Sequence, residues 1–252
     1  MQNISTDINI RETDMKDISI LIEGCKSLGI TLSDSQKLQF VRYYQMLYEK
    51  NKVMNLTAVI GWDEVQTKHY LDSLLLCKVA DLRENLKVLD LGTGAGFPGI
   101  PLKIAFPGLD IILADSLNKR IRFLDEVIQN LGLSGIHTVH GRAEDLGKRK
   151  EYREAVDLVI SRAVANLSSL SEYCLPFAKK GGLFISYKSS EIEEEVKKAK
   201  TAIRILGGGE PEVTTLPLPC TQMKRAFVRI RKEKPTPSKY PRKAGIPSKD
   251  PL

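Results

Sequence analysis

Val88-Leu89-Asp90-Leu91-Gly92-Thr93-Gly94-Ala95-Gly96-Phe97-Pro98-Gly99 joins an apolar strand to the start of a helix through four glycines, with an acid two residues before the first of them. Glycine reaches backbone angles closed to other residues and lets a ligand approach the main chain, while the helix that follows offers unpaired N–H groups. Such a junction predicts a site for a nucleoside-bearing cofactor. Gly94 to Gly99 satisfies the dinucleotide pattern G-x-G-x-x-G, but Phe97 and Pro98 crowd the turn where a pyrophosphate would meet the helix. Asp90 is also a poor neighbour for a diphosphate. An acid there suits a ligand that carries an ammonium and a sulfonium, so the spacing D-x-G-x-G-x-G favours S-adenosylmethionine, with a nicotinamide dinucleotide as the alternative.

Downstream of the loop, strand-like and helix-like stretches alternate, which predicts a parallel sheet with right-handed crossovers. Strands are expected near 86–91, 109–114, 136–140, 156–161, 182–187 and 225–231, with a stretch near 211–218 as an antiparallel neighbour of the last. Helices are expected near 98–105, 118–131, 143–150, 167–178 and 190–205. The fold class is therefore α/β, and because D-x-G-x-G-x-G resembles the first motif of class I S-adenosylmethionine-dependent methyltransferases, the resemblance implies that type: a Rossmann-like, mostly parallel seven-stranded sheet with a small helical N-terminal extension. In that extension, 14–28 carries Met15, Ile18, Leu21, Ile22 and Cys25 at helical spacing and closes at Gly29. Ser33 and Gln36 form a capping-box pattern ahead of a second helix with Leu38, Val41, Tyr44, Leu47 and Tyr48 on one face. A third helix is expected over 67–80. Three units follow: a helical region at 1–84, a methyltransferase domain at 85–234 and a basic, Pro-rich tail at 235–252.

The 252 residues suffice for one large α/β domain with an appendage, and no apolar run reaches the ~20 residues that a membrane span needs. The first residues lack a basic region leading into an apolar stretch, so no secretory signal is expected and a cytoplasmic location is. Cys25, Cys77, Cys174 and Cys220 form no C-x-x-C pair, which argues against a zinc site or a disulfide framework. Charge is unevenly placed. From Lys224 to Leu252 ten Lys and Arg face only Glu233 and Asp250, a local balance of +8 in a chain of net +7. With five prolines among the charges the tail is expected to lie extended on the surface, where a polyanion such as RNA is its natural partner.

In an open α/β sheet the ligand lies at the carboxyl ends of the strands. Strand two ends at Asp115, placed to accept both ribose hydroxyls. Strand three ends in Gly141-Arg142-Ala143-Glu144-Asp145, amides and an acid at the adenine edge, and strand four ends in Ser161-Arg162-Ala163-Val164-Ala165 at the mouth. The Asn/Asp-Pro-Pro-aromatic segment with which exocyclic amines are commonly methylated is absent there. Cys220 belongs to the far edge of the sheet, which argues against a thiolate nucleophile. Guanine N7 needs neither a thiolate nor a base, because its lone pair is free at neutral pH. No catalytic residue is assigned, and Arg162 is a candidate to contact the cofactor or the base.

Asn55-Leu56-Thr57-Ala58, His69-Tyr70-Leu71-Asp72-Ser73-Leu74, Asp90 to Leu102, Ser161 to Ala165 and Tyr240-Pro241-Arg242-Lys243-Ala244-Gly245 together resemble the small-subunit ribosomal RNA methyltransferase G family (RsmG), also called glucose-inhibited division protein B. The resemblance runs from about residue 35 to the end. It implies an S-adenosylmethionine-dependent enzyme that methylates guanine N7 in a decoding-region loop of bacterial 16S rRNA, by direct in-line transfer without a covalent intermediate. It also implies cofactor contacts at Gly92, Phe97, Ala143, Glu144 and Arg162, to which position in the loop adds Gly94 and the second strand end adds Asp115. The family's Lys-Gly after strand five is Lys188-Ser189 here.

Charge and placement mark His69, Lys119, Arg120, Arg142, Lys188, Arg242 and Lys243 as candidates to touch 16S rRNA or the small ribosomal subunit. Arg122, on the same helix as Lys119, belongs with them. No metal site, no membrane contact and a monomer are expected. A methyltransferase for another RNA or a small molecule, and a non-catalytic ribosome assembly factor, remain the alternatives.

Overall fold

A computed structural model describes residues 16–162, 165–189 and 191–252. Its centre is a seven-stranded sheet in the order β3-β2-β1-β4-β5-β7-β6. The strands are β1 (Lys87–Leu91), β2 (Asp110–Asp115), β3 (Ile136–His140), β4 (Val156–Ser161), β5 (Ala178–Lys188), β6 (Glu212–Pro217) and β7 (Lys224–Arg231). β1 to β5 pair in parallel, and β7 runs antiparallel to both β5 and β6. β5 is longer than the sequence spacing predicts.

Strand alternation assigns each inner strand's side chains to two cores. Val88, Ile111, Leu113, Leu158, Ile160 and Ile185 face one apolar layer, while Leu89, Leu91, Ile112, Ala114, Val159 and Phe184 face the other. Helices cover both faces, as a parallel sheet requires. On the first face lie α1 (Ser19–Leu28), α2 (Asp34–Met54), a continuous helical stretch α3 (62–78), α4 (Gly99–Ala105) and α5 (Asn118–Asn130). On the second lie α6 (Ala143–Leu146), α7 (Leu167–Cys174) and α8 (Glu193–Ile205), and a short α9 (Ile246–Lys249) follows in the C-terminal segment.

Several boundaries differ from the sequence reading for local reasons. The Ser33–Gln36 capping box forms as expected, and the Gln36 amide also donates to the Ile104 carbonyl at 2.7 Å, tying α2 to α4. The buried face of α2 is Phe40, Val41, Tyr43, Tyr44 and Leu47, whereas Leu38 and Tyr48 are exposed. Aromatic packing sets that rotation: Phe40 and Tyr43 lie against Tyr70, with ring centroids 4.8 and 5.8 Å away. α1 likewise turns Ile22 outward and buries Leu21, Gly24, Cys25 and Leu28. Met15 lies outside the described residues.

α3 begins earlier than expected, at Trp62, and changes pitch along its length. An α turn (Trp62–Val65) leads to a π-helical segment (Gln66–Leu71), an α segment (Asp72–Leu74) and a 3-10 turn (Leu75–Lys78). Such π segments frequently accompany functional sites, and this one carries His69.

The C-terminal segment does not lie extended on the surface. The Arg153 guanidinium donates to the carbonyls of Thr236, Pro237 and Tyr240, and Tyr240 is buried in the second core. Once those carbonyls have a donor, the prolines no longer oblige the segment to seek water.

Candidate functional site

The glycine loop is braced from three sides before any ligand is considered. Asp90 Oδ2 accepts from Thr93 Oγ1 at 2.6 Å and from the Gly99 amide at 2.8 Å, closing the turn from strand to helix. Tyr43 Oη donates to the Ala95 carbonyl at 2.5 Å. Gly99 is needed because a Cβ there would run into Leu113 Cδ2 and Asp90 Oδ2. Gly92 is needed for another reason: its φ is +73°, and a Cβ built on it meets no protein atom within 4 Å. That open side faces a cavity of about 540 Å³, within the range of small-molecule sites.

Four strand ends line this cavity. Gly92 follows β1, Asp115 closes β2, Gly141 to Glu144 follow β3, and Ser161 with Ala165 come from the end of β4. Gly94 and Phe97, both candidates from the sequence, lie behind the lining. Gly94 donates its amide to Asp115 Oδ2 at 3.0 Å, so it orients the acid. Asp115 Oδ2 also accepts from Arg120 Nη1 at 3.2 Å, and its Oδ1 accepts from the Leu117 amide at 2.9 Å. A carboxylate has about four acceptor positions, so three are in use. The two-pronged ribose grip expected of Asp115 is reduced to one remaining acceptor. Glu144 Oε1 accepts from the Gly245 amide at 2.9 Å.

Arg162 is turned away from this cavity. Its Nη1 donates to Asp72 Oδ2 at 2.8 Å and to the Lys68 carbonyl, and its Nη2 lies 3.2 Å from His69 Nδ1. A guanidinium can only donate, so His69 Nδ1 accepts, and its Nε2 carries the proton shared with Thr57 Oγ1 at 2.8 Å. Burial first, and the Arg162 charge second, hold the imidazole down at a pKa of about 3, so it is neutral. Phe97 completes the group: its ring stacks on His69 at 4.2 Å and underlies the Arg162 guanidinium at 5.2 Å. Fully buried Asp72 also accepts from Arg225 Nε at 2.6 Å, joining α3 to β4 and β7.

A family model described as rRNA small subunit methyltransferase G matches residues 36–223. This chain belongs to that family. Relatives called ribosomal RNA small subunit methyltransferase G include one from Lachnoclostridium phytofermentans, 51% identical over 238 residues, which are 94% of this chain and 98% of the relative. Another, from Desulforamulus reducens, is 51% identical over 94% of this chain and the whole of its own. At the level of fold, the chain resembles M. jannaschii TYW2 in complex with AdoMet, with a TM-score of 0.50 and 16% identity over 64% of this chain and 74% of that one. YcgJ protein from Bacillus subtilis gives a TM-score of 0.50 at 13% identity, over 66% of this chain and all of the other.

Four of the five segments that carry the methyltransferase G resemblance thus meet in space, while the Tyr240–Gly245 segment lies against Arg153, Glu172 and Glu144. Thr57, His69, Asp72, Phe97 and Arg162 form one buried polar cluster behind the glycine loop. The expected RNA contacts divide by environment. Lys119, Arg142 and Lys243 are exposed, with no ion pair among the described residues. His69 is buried in the cluster, and Arg120 is engaged by Asp115. Lys188 is buried too, with Nζ on the Ala165 carbonyl at 2.7 Å and on Glu195 Oε1 at 2.6 Å. Arg242 is spread on the buried Glu172 carboxylate, Nε to Oε1 at 3.0 Å and Nη2 to Oε2 at 2.7 Å. Arg242 is therefore a structural cation in this arrangement, because Glu172 would otherwise be buried without a charged partner, and Lys188 is held inside by the Ala165 carbonyl and the half-buried Glu195.

The sequence reading missed Tyr43, Glu172, Tyr173, Gly245 and Ser248. Tyr173, Gly245 and Ser248 line the cavity. Only Gly245 stood in a segment already singled out, the Tyr-Pro-Arg-Lys stretch.

Proposed function

We propose that this chain transfers the methyl group of S-adenosylmethionine to N7 of a guanine in 16S rRNA of the small ribosomal subunit. The observation that carries the reading is the cavity at the carboxyl ends of β1 to β4, open beside Gly92 and bordered by Asp115 and Glu144, in a chain of the methyltransferase G family. The cofactor fits this cavity on two counts: Gly92 leaves space that a side chain would fill, and two carboxylates stand where a ribose and an adenine edge offer donors.

When bound, the cofactor supplies an electrophilic sulfonium methyl. The chain supplies alignment. Asp90 and Tyr43 fix the loop, Gly94 orients Asp115, and the Phe97–His69–Arg162 group sets the loop's outer side against β4. Guanine N7 attacks with an in-plane lone pair and loses no proton, so no general base is required and effective molarity is the main resource. Neutral His69 is consistent with that economy. Arg142 lines the cavity, the exposed Lys119 and Lys243 lie close in sequence to its lining residues Arg120 and Gly245, and all three would hold phosphates.

As parts of the same reading, the protein acts as a cytoplasmic monomer. Among the described residues no helix is long and apolar enough to cross a membrane. Disrupting the gene and mapping N7-methylguanine along 16S rRNA tests the proposal. Loss of one such mark, restored by the intact gene, is expected, and an unchanged map overturns it. Methylation of another RNA or of a small molecule in place of 16S rRNA would favour the alternatives.

A further inference from the structure

The C-terminal segment from Tyr240 to Ser248 closes one side of the cavity, and its attachments are built rather than incidental. Glu172, fully buried on α7, accepts from the Arg242 amide at 2.7 Å and from both prongs of the Arg242 guanidinium. Ser169 Oγ, also on α7, donates to the Pro247 carbonyl. Between these two anchors the chain sets the Gly245 amide on Glu144 Oε1 and brings Gly245 and Ser248 to the cavity wall beside Tyr173. With one oxygen held, the Glu144 carboxyl is tethered to the segment. A buried carboxylate in a bidentate pair is a strong tether, since removing either partner strands a charge.

We propose that this segment is a resident wall of the S-adenosylmethionine site, and that Arg242, through Glu172, is a positioning residue for the cofactor rather than a contact to RNA. The inference rests on the cofactor reading above. It assigns a local task to a basic segment whose composition alone suggests a polyanion. Arg242 spends its guanidinium inside the protein, while its neighbour Lys243 stays exposed.

The test compares full-length wild type with Arg242→Ala, Arg242→Lys, Glu144→Gln and the Arg242→Ala/Glu144→Gln pair. S-adenosylmethionine is titrated calorimetrically, and RNA binding is followed across salt concentrations. Arg242→Ala is expected to weaken the cofactor about tenfold, the loss typical of one charge-assisted buried contact. Arg242→Lys is expected to recover part of that. At saturating cofactor kcat should stay within about twofold, and the salt dependence of RNA binding should not move. The double variant should lose little more than its weaker single variant, because the segment acts through the Glu144 carboxyl. Unchanged cofactor affinity with weakened RNA binding would overturn the inference and restore Arg242 as a phosphate contact. If Arg242→Ala does not fold, Arg242→Lys reads the same split. Wild type that fails to bind S-adenosylmethionine removes the cofactor reading itself, whereas wild-type binding indifferent to Arg242 removes only this inference.

Discussion

Asp90 holds two points of the glycine loop with one oxygen and leaves its other oxygen, Oδ1, buried without a partner. Burial pushes its carboxyl up to about 6, against the downward pull of the Thr93 and Gly99 hydrogen bonds and of Arg162. The unfolded chain ionises near 3.8, so the folded state holds the extra proton between the two values. The stability this confers is whole below pH 3.8 and gone once the pH has risen past about 6, roughly 3 kcal/mol in all, about half of it between pH 5 and 8. Asp90→Asn keeps an acceptor for Thr93 and Gly99 and cannot ionise. In urea unfolding at pH 5 and at pH 8, the difference between variant and wild type should move in the variant's favour by roughly 1–2 kcal/mol at the higher pH. A difference that does not change with pH would refute the burial argument. His69 offers a second check, since its pKa near 3 leaves it neutral throughout. Of the three histidines, the NMR signals of His69 should stay flat between pH 5 and 8. A midpoint for that ring near 6.5 would show that Arg162 and Phe97 do not enclose it.

At the scale of elements, Asp72 is where α3 meets the sheet. Its two oxygens serve Arg225 on β7 and Arg162 at the end of β4. Asp72→Asn leaves two part-buried guanidinium groups facing a neutral amide, and breaking a buried pair in this way costs about 3 kcal/mol or more. Urea unfolding should show that loss, and a change under about 1 kcal/mol would mean that solvent already screens the pairs. The same junction shows what could be read in advance. The strands and the glycine loop were legible because period-two apolar runs and a strand-glycine-helix spacing each carry their own geometry. His69, Asp72 and Arg162 could be singled out by residue type, but not their mutual contacts. Those arise from a π-helical register that no short-range pattern encodes, and from β4 and β7 arriving beside α3. For the same reason the buried face of α2 was misread. Tyr43 turns inward because Ala95, 52 residues away, offers its carbonyl.

For the whole molecule, the count of 38 Lys and Arg overstates the cations available to a polyanion. Arg162, Lys188, Arg225 and Arg242 neutralise Asp72, Glu195 and Glu172, and buried Lys232 donates to the Leu175 carbonyl at 2.6 Å beside Glu154. What remains near the cavity is a rim. Arg142 lines it directly, Lys119 precedes Arg120 on its edge, and Lys243 stands between Arg242 and Gly245. RNA docked on that rim would release counterions in proportion to the phosphates neutralised, so the slope of log K against log salt counts the contacts. Replacing Lys119, Arg142 and Lys243 together by Ala should make that slope shallower by about 0.7 for each true contact on single-stranded RNA, hence by about 2 for all three. Cofactor affinity should hold in the Lys119→Ala and Lys243→Ala single variants, because neither residue lines the cavity or joins the Asp115 or Glu144 hydrogen-bond sets. If the triple variant keeps the wild-type slope, the RNA approaches from another face, and the basic side chains of β7 become the next to substitute. If the slope falls only when Arg242 is also replaced, Arg242 leaves Glu172 to meet the RNA, and the segment must open as the substrate docks.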